Sequence, residues 1–271
     1  MIGLVAGAGR FPLILAQAAR NHGYQVLAVA IKEEADKSIS KVSDKLIWLS
    51  VGELDRIVNT FLEEKISEVF MAGKIKKTIM YTDIKLDERL QKLLNNLKNR
   101  NDDVILGAFV SELTRQGINV RNSAELIPDM MAGEGVLTRE KPDEGVLEDI
   151  RYGFKMAKLV AGLDIGQTVV VKKKAVLAVE AIEGTDSAIL RGGELARGGI
   201  IVAKVARPNQ DMRFDIPVIG IKTIETLIEA RAEAMVVEAG KTLILDKKEF
   251  LELAEEHRII IMGLKSAEDP V

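Results

Sequence analysis

Ile2-Gly-Leu-Val-Ala-Gly-Ala-Gly-Arg10 is the stretch that decides the fold of the first half of the chain. Its apolar residues from Ile2 to Ala6 form a short run of the kind found in buried strands. Gly7 to Arg10 follows as a glycine turn. Phe11 to Asn21 then has apolar residues at helical spacing, with Pro12 in the first turn. A strand, a glycine turn and a helix in this order are typical of a parallel βαβ unit.

The same alternation of strands and helices continues along the first half. It predicts a Rossmann-like domain over residues 1–125, with a parallel sheet. A linker of little periodicity covers 126–144, and a separate α/β or α+β domain covers 145–271. The further strands predicted for the first domain are Val26–Ile31, Leu46–Ser50, Glu68–Ala72 and Asn119–Arg121, and its further helices are Leu54–Glu64, Leu86–Leu97 and Val104–Gln116.

The second domain differs in composition, because its predicted strands are richer in β-branched residues. Lys172-Lys-Lys174 predicts a tight hairpin between two strands. Thr223 is the expected N-cap of a helix reaching Arg231, with Thr226 on its exposed side. The remaining predicted elements are the helices Gly145–Ala161 and Lys247–Glu256, a helix opening at Gly184-Thr-Asp186, and the strands Gln167–Val171, Ala175–Glu180, Gly199–Val205, Ala234–Glu238, Thr242–Leu245 and Ile259–Ile261.

The composition of the 271 residues excludes several classes of protein. A formal net charge of −3 argues against a general nucleic-acid binder, which normally carries a basic surplus. No apolar run has the roughly 18 residues of a membrane-spanning helix, and the start of the chain lacks the features of a signal peptide. The chain has no cysteine and two histidines, so any metal is expected to have oxygen ligands. We therefore expect a cytoplasmic protein.

The turn with Gly7, Gly9 and Arg10 is a candidate site for a phosphate group. Glycines between a strand and a helix allow a phosphate to approach the N–H groups at the positive end of the helix. Pro12 stands where a full dinucleotide fingerprint has its third glycine, and Lys32 precedes the acidic Glu33 after the second strand, so NAD is not favoured. The alternative is an ordinary tight βα turn.

Two further stretches carry charged groups near expected strand ends. Lys74 follows the fourth strand, where a lysine can attract phosphate, although it is equally compatible with a solvated basic turn that includes Lys76 and Lys77. Glu180 to Asp186 ends a strand and opens a helix with Gly184 and Thr185, an arrangement that suits Mg²⁺ or phosphate. The alternative there is simple capping of the helix by Thr185 or Asp186.

Arg207 to Gly220, Arg-Pro-Asn-Gln-Asp-Met-Arg-Phe-Asp-Ile-Pro-Val-Ile-Gly, is a polar loop between apolar strand-like runs. It brings together two carboxylates, Asp211 and Asp215, and two guanidinium groups, Arg207 and Arg213. Loops held by buried strands often carry catalytic groups, because the scaffold fixes them and the loop exposes them. Proline, asparagine and aspartate also form turns for purely local reasons, so an ordinary connection is the alternative.

Four segments together resemble one known family. They are residues 3–10, 178–186 (Ala-Val-Glu-Ala-Ile-Glu-Gly-Thr-Asp), 210–220 (Gln-Asp-Met-Arg-Phe-Asp-Ile-Pro-Val-Ile-Gly) and 237–240 (Val-Glu-Ala-Gly). The family is the cytoplasmic, metal-dependent UDP-2,3-diacylglucosamine diphosphatase of lipid A biosynthesis, which is unrelated to the calcineurin-like phosphoesterase with the same activity. The segments occur in order over essentially the whole chain. The segment after Gly73 departs from the family pattern.

The resemblance implies a function and a set of roles. It implies two domains with substrate between them and Mg²⁺-dependent hydrolysis of UDP-2,3-diacylglucosamine to UMP and 2,3-diacylglucosamine 1-phosphate. It also implies an essential aspartate, with Asp215 the first choice and Asp211 the second. We expect Asp186 to join these two as metal ligands. The residues expected to bind substrate are Gly7, Gly9, Arg10, Lys74, Gly184, Thr185, Gln210 and Arg213.

Other functions remain open at this point. The first alternative is a non-catalytic protein that binds a nucleotide sugar or a dinucleotide through the Gly7–Arg10 turn. A nicotinamide-dependent oxidoreductase is a weaker one. Peripheral contact with a membrane and a homodimer are both compatible with a lipid-linked substrate.

Overall fold

The computed structural model describes residues 1–75, 84–97 and 102–266. Lys76, Lys77 and most of the segment that departs from the family pattern lie outside these residues. The chain divides into two compact units. Unit 1 contains Met1–Pro128 together with Asp211–Asp215, and unit 2 contains Asp129–Gln210 and Ile216–Val271. Five residues of the 207–220 loop thus belong with the first unit.

Unit 1 has a five-stranded parallel sheet with helices packed on it. In chain order its elements are β1 (Ile2–Ala6), α1 (Phe11–Asn21), β2 (Val26–Ile31), β3 (Lys45–Leu49), α2 (Leu54–Glu63), β4 (Glu68–Ala72), α3 (Glu88–Asn95), α4 (Asp102–Arg115) and β5 (Asn119–Val120). The strand order is β3-β2-β1-β4-β5, and all pairs are parallel. Strand order therefore reverses between β1 and β4, which is where open α/β sheets bind ligands.

Unit 2 has a six-stranded mixed sheet and a two-stranded one. Its elements are β6 (Gly135–Val136), α5 (Glu144–Gly162), β7 (Thr168–Lys172), β8 (Ala175–Val179), α6 (Thr185–Ala196), β9 (Ile200–Lys204), β10 (Val218–Ile219), α7 (Ile221–Glu229), β11 (Ala232–Glu238), β12 (Leu243–Ile244), α8 (Lys247–Glu256) and β13 (Ile260–Leu264). The larger sheet has the order β6-β13-β11-β9-β7-β8, and β10 pairs with β12. The prediction of two α/β domains is confirmed.

Alternate residues of the central strands build two separate cores in unit 2. Ile201 and Ala203 of β9 pack in the same cluster as Ile150 and Phe154 of α5. Ile200 and Val202 face the other way, into the cluster that contains residues of α6, α7 and α8. The period of two along a strand therefore fixes which helices cover which face.

Local turn chemistry explains both a correct and an incorrect prediction. The predicted hairpin between β7 and β8 turns at Lys173 and Lys174, whose φ angles of 51° and 55° suit a two-residue hairpin turn. The helix predicted to start after Thr223 instead has Gly220 as its N-cap. Thr223 lies inside the helix, and its hydroxyl accepts the Gly220 N–H at 3.4 Å. Thr226, predicted to be exposed, is instead buried at 7% exposure, and its hydroxyl donates to the Lys222 carbonyl at 2.8 Å.

Among the described residues, no helix is both long and apolar enough to cross a membrane. The two-residue strand β6, within the predicted 126–144 linker, pairs antiparallel with β13.

Candidate functional site

The turn after β1 is joined to the turn after β4 at the point where the strand order reverses. Ala8 and Lys74 exchange backbone hydrogen bonds of 2.8 and 3.1 Å, and the Gly7 N–H donates to the Ala72 carbonyl at 2.8 Å. A Cβ atom at Gly7 would lie 2.6 Å from the Lys74 carbonyl oxygen. Arg10 is the N-cap residue of α1. Unit 1 therefore brings Gly7, Gly9, Arg10 and Lys74 to one edge of the sheet.

This close approach predicts that Gly7→Ala destabilises the protein. Because the added methyl group meets a backbone carbonyl, the turn has to open, at a cost of about 1–3 kcal/mol. The matched control is Gly107→Ala in α4, where a Cβ atom meets nothing within 4 Å and alanine is a better helix former by up to about 1 kcal/mol. Thermal unfolding should show a lower midpoint for the first variant only. Equal midpoints for Gly7→Ala and the parent would contradict the assigned geometry.

The acidic residue after β2 has partners within the same unit. The Glu33 carboxylate accepts hydrogen bonds from the Ser50 hydroxyl and from the Val51 N–H at the end of β3. In dinucleotide-binding folds an acidic residue near this position binds the ribose hydroxyl groups. Glu33 instead forms hydrogen bonds with the β3–α2 turn. This contact argues against a dinucleotide-binding role for Glu33.

An apolar cavity of about 160 Å³ lies within unit 1, beside the Gly7–Lys74 edge. The ends of β1, β2 and β4 form its floor through Val5, Ile31 and Met71. Helices α2, α3 and α4 and the segment before α3 contribute further aliphatic side chains. Apolar cavities of about this volume stay dry and accept apolar ligands. The lining residues are Val5, Gly7, Ile31, Val51, Leu54, Ile57, Met71, Ala72, Gly73, Ile75, Ile84, Leu86, Leu90, Leu93, Ile105, Leu106, Phe109 and Phe214.

Phe214 connects the 207–220 loop to this cavity. It is the residue before Asp215, it lines the cavity, and it packs against the core cluster of unit 1. This part of the loop forms a turn. The Phe214 and Asp215 N–H groups both donate to the Asp211 carbonyl, at 3.2 and 3.0 Å. Asp215, the predicted catalytic residue, thus directly follows in the chain a residue that lines the apolar cavity.

Asp211 and Arg213 are paired with each other in the same turn. Both oxygens of the Asp211 carboxylate accept hydrogen bonds from the Arg213 guanidinium, at 2.6 to 3.2 Å. These bonds outweigh partial burial and hold the pKa of Asp211 below its ordinary value. The pairing is therefore complete above the ordinary aspartate range and is lost as pH falls through the lowered pKa. Asp211 consequently fits a structural role in the turn better than that of a proton acceptor.

Gln210 lies in unit 2 and closes the start of the loop. Its side-chain oxygen accepts the Arg207 N–H at 2.7 Å, while the Arg207 guanidinium pairs with Asp164 at 2.9 Å. Its predicted role in binding substrate stays a prediction.

The start of α6 holds a polar cluster that includes a lysine the sequence did not single out. Lys204, at the end of β9 and only 8% exposed, donates to the Thr185 hydroxyl at 2.8 Å and to the Thr168 hydroxyl at 3.4 Å. The Thr185 hydroxyl in turn donates to Glu180 at 2.8 Å. Thr185 thus links strand ends rather than capping the helix, whose N-cap is Gly184. The sequence feature that could have pointed to Lys204 is its position as a charged residue at the end of the apolar run that starts at Ile200.

Two of the three predicted metal ligands are paired with cationic side chains. Asp186 pairs with Lys222 at 2.7 Å, and Asp211 pairs with Arg213. Over the part of the chain that the structure describes, no three histidine or acidic side chains cluster as a ready-made metal site. Mg²⁺, however, commonly uses only one or two carboxylates together with substrate phosphates and water. Binding of Mg²⁺ by Asp215, Asp211 and Asp186 stays a prediction.

Comparisons with known proteins cover nearly the whole chain. The family model described as LpxI N-terminal domain matches residues 1–130, and the one described as LpxI C-terminal domain matches residues 133–262. A curated relative from Caulobacter vibrioides, named UDP-2,3-diacylglucosamine pyrophosphatase LpxI, is 29% identical over 280 residues. That alignment covers 99% of this chain and 99% of the relative.

Two solved structures show a distant similarity to the chain. The biotin carboxylase domain of Hydrogenobacter thermophilus 2-oxoglutarate carboxylase is 15% identical, with a TM-score of 0.29, over 64% of this chain and 35% of that one. The biotin carboxylase subunit of pyruvate carboxylase is 14% identical, with a TM-score of 0.27, over 66% and 36%. Scores this low carry no inference about fold or function.

Proposed function

The chain belongs to the LpxI family, and we propose that it hydrolyses the pyrophosphate bond of UDP-2,3-diacylglucosamine to give UMP and 2,3-diacylglucosamine 1-phosphate. The curated relative carries the name of that activity. The observation that supports the proposal best is the position of Phe214. It lines an apolar cavity while its neighbour Asp215 is the predicted catalytic carboxylate. A substrate with both acyl chains and a pyrophosphate needs these two features close together.

The cavity of unit 1 is the proposed site for acyl-chain carbons. Its lining is almost wholly aliphatic and aromatic. Each methylene transferred from water to such a site contributes about 0.8 kcal/mol, so a few carbons supply substantial affinity. The Gly7–Arg10 turn and Lys74 lie on the same edge of the sheet, and we propose that they bind phosphate oxygens through backbone N–H groups and positive charge.

Asp215 is proposed to hold and orient the attacking water. The water oxygen forms a bond to one phosphorus while that phosphorus loses its bond to the bridging oxygen. The bridging oxygen departs with the other phosphate, and Asp215 accepts a proton from the water. Arg10 and Lys74 are proposed to neutralise the charge on the phosphoryl oxygens. Arg213 is proposed to act mainly by holding Asp211 and the turn. That the substrate lies between the two domains stays a prediction.

Turnover separates this proposal from a non-catalytic nucleotide-sugar protein. The purified chain is incubated with UDP-2,3-diacylglucosamine and Mg²⁺, and UMP is measured over time. We expect UMP to accumulate well beyond the amount of protein. A ligand-dependent rise in the melting midpoint without any UMP would instead support the binding protein. A rise with NAD(H) alone would support the weaker oxidoreductase interpretation.

Magnesium dependence is a separate prediction. When bound, Mg²⁺ neutralises charge on phosphoryl oxygens. Arg10 and Lys74 are the other cations proposed to do so. EDTA should therefore abolish UMP release, and excess Mg²⁺ should restore it. Binding of Mg²⁺ by the substrate-free protein, measured by isothermal titration, should be weak, because no three acidic side chains cluster among the residues that the structure describes. Full activity in EDTA would contradict the proposal.

The proposed substrate also suggests where the protein acts. A diacylated substrate resides in a membrane, so we propose a cytoplasmic protein that touches a membrane surface peripherally. A homodimer is compatible with the proposal, and sedimentation of the purified chain measures it directly.

A further inference from the structure

We propose that the ion pair between the partly exposed Lys158 and the buried Glu238 positions the start of the 207–220 loop. Lys158 lies on α5, and Glu238 is the last residue of β11. Both side chains form hydrogen bonds with the backbone of Ala206, the residue before the loop. The inference rests on the proposed function only in treating that loop as catalytic. Neither residue is proposed to touch the substrate.

The two charged side chains hold both polar groups of Ala206. The Glu238 Oε2 atom accepts the Ala206 N–H at 2.9 Å, and the Lys158 ammonium donates to the Ala206 carbonyl at 2.9 Å. The same ammonium donates to Glu238 Oε2 at 3.0 Å, which closes a three-membered network. Ala206 is wholly buried. Because neither polar group of Ala206 continues a strand, the ion pair takes the place of sheet hydrogen bonds there.

Glu238 is unusually well satisfied for a buried carboxylate. It is 1% exposed, and its second oxygen, Oε1, accepts from the Lys241 ammonium at 2.8 Å and from the Ser266 hydroxyl at 2.9 Å. Burial raises the pKa of Glu238, but hydrogen bonds from Lys241, Lys158 and the Ala206 N–H outweigh it and leave the pKa lowered. A buried charge with four donors holds its geometry tightly, since each donor restrains the others.

Apolar side chains in place of this ion pair could stabilise the fold at least as well. Buried ion pairs often contribute less than well-packed apolar residues, because both charges lose their hydration. What a charged pair adds here is direction. It orients the two peptide groups on either side of the Ala206 Cα, through one hydrogen bond to each, and the second of these peptides leads directly into Arg207. Asp164, just after α5, then pairs with Arg207 at 2.9 Å, so the end of α5 holds two consecutive residues.

The test compares variants of Lys158, because removing Glu238 itself leaves two ammonium groups without their partner and threatens folding. Lys158→Met keeps the length of the side chain and removes its charge. We expect kcat for UMP release to fall about tenfold with KM changed less than twofold, since the anchor orients the loop without binding substrate. Lys158→Arg, which keeps the charge and donors, should recover at least half of the lost kcat.

Two controls separate positioning from a general loss of stability. Lys155→Met removes an exposed lysine one turn earlier on α5 and should leave kcat unchanged. Ile150→Val, in the buried face of α5, should lower the melting midpoint with kcat retained. If Lys158→Met keeps the parental kcat, or loses it only as Ile150→Val does, the positioning role is wrong.

Hydrogen exchange provides a readout that does not depend on turnover. The Ala206 amide should exchange slowly in the parent and much faster in Lys158→Met, with Lys155→Met unchanged. If the parent fails to release UMP, the proposed function fails, while the exchange still measures the anchor. Unchanged exchange at Ala206 in Lys158→Met would overturn the inference even in an active enzyme.

Discussion

Asp215→Asn is expected to lower kcat for UMP release by about a thousandfold, within the 10²–10⁴ range typical of losing a positioned general base. The amide keeps the size of the carboxylate but loses its charge and its ability to take a proton. Because the side chain remains nearly isosteric, the fold should persist. The melting midpoint of the variant should therefore lie within a few degrees of the parent, and kcat should be measured at saturating substrate.

Asp211→Asn is the matched control for this variant. Asp211 is four residues away in the same turn, and its carboxylate is held by the Arg213 guanidinium. Loss of that pair loosens the turn, so we expect a decrease of about tenfold or less, the size associated with about 1.4 kcal/mol. A reversed order, with Asp211→Asn the more damaged enzyme, would exchange the roles of the two aspartates.

Leu106→Trp is expected to reduce kcat/KM for the diacylated substrate by roughly a hundredfold. Leu106 lies on α4 and lines the apolar cavity of unit 1. An indole there occupies the space proposed for acyl carbons. Displacing about four methylenes at about 0.8 kcal/mol each costs about 3 kcal/mol, which corresponds to such a change. The effect should fall mainly on KM, because the catalytic loop keeps its own hydrogen bonds.

Leu62→Trp gives the same chemical change outside the cavity. Leu62 is an exposed residue of α2 in the same unit, so this variant should retain the parental kcat/KM. Substrates with shorter acyl chains should lose less affinity in Leu106→Trp than substrates with longer chains. If the two tryptophan variants behave alike, the acyl chains bind elsewhere.

Local patterns in the sequence were sufficient for most of the fold. Ile2–Ala6, Phe11–Asn21 and Lys247–Glu256 have the predicted bounds, because an apolar run or a helical period defines each of them from within. The two-residue strand β6 has no such signal, since its partners at residues 262–263 are remote in sequence. Thr223 was misplaced because a threonine near a helix start resembles an N-cap, while Gly220 fills that position without a side chain.

The site was predictable in its residue types and much less so in its contacts. Gly7 and Lys74 could be assigned to the sheet edge because parallel strands end on the same side, and the structure joins them by a backbone bridge. Asp211 and Arg213 are two residues apart, but nothing in the pattern indicated that they pair with each other rather than bind substrate. Nothing local indicated that Phe214 lines a cavity. No role was predicted for Lys204 or for Glu238, although Glu238 lies in the 237–240 segment that resembles the family. Their partners, Thr185 and Ala206, are 19 and 32 residues away.

The central claim is hydrolysis of a pyrophosphate bond, and phosphorus-31 NMR observes that bond directly. The purified chain is mixed with UDP-2,3-diacylglucosamine and Mg²⁺, with Asp215→Asn as the blank. The two pyrophosphate resonances should disappear in the parent reaction while two phosphomonoester resonances, those of UMP and the lipid 1-phosphate, grow in equal amounts. Pyrophosphate resonances that persist unchanged with the folded parent protein and Mg²⁺ would contradict the proposed function.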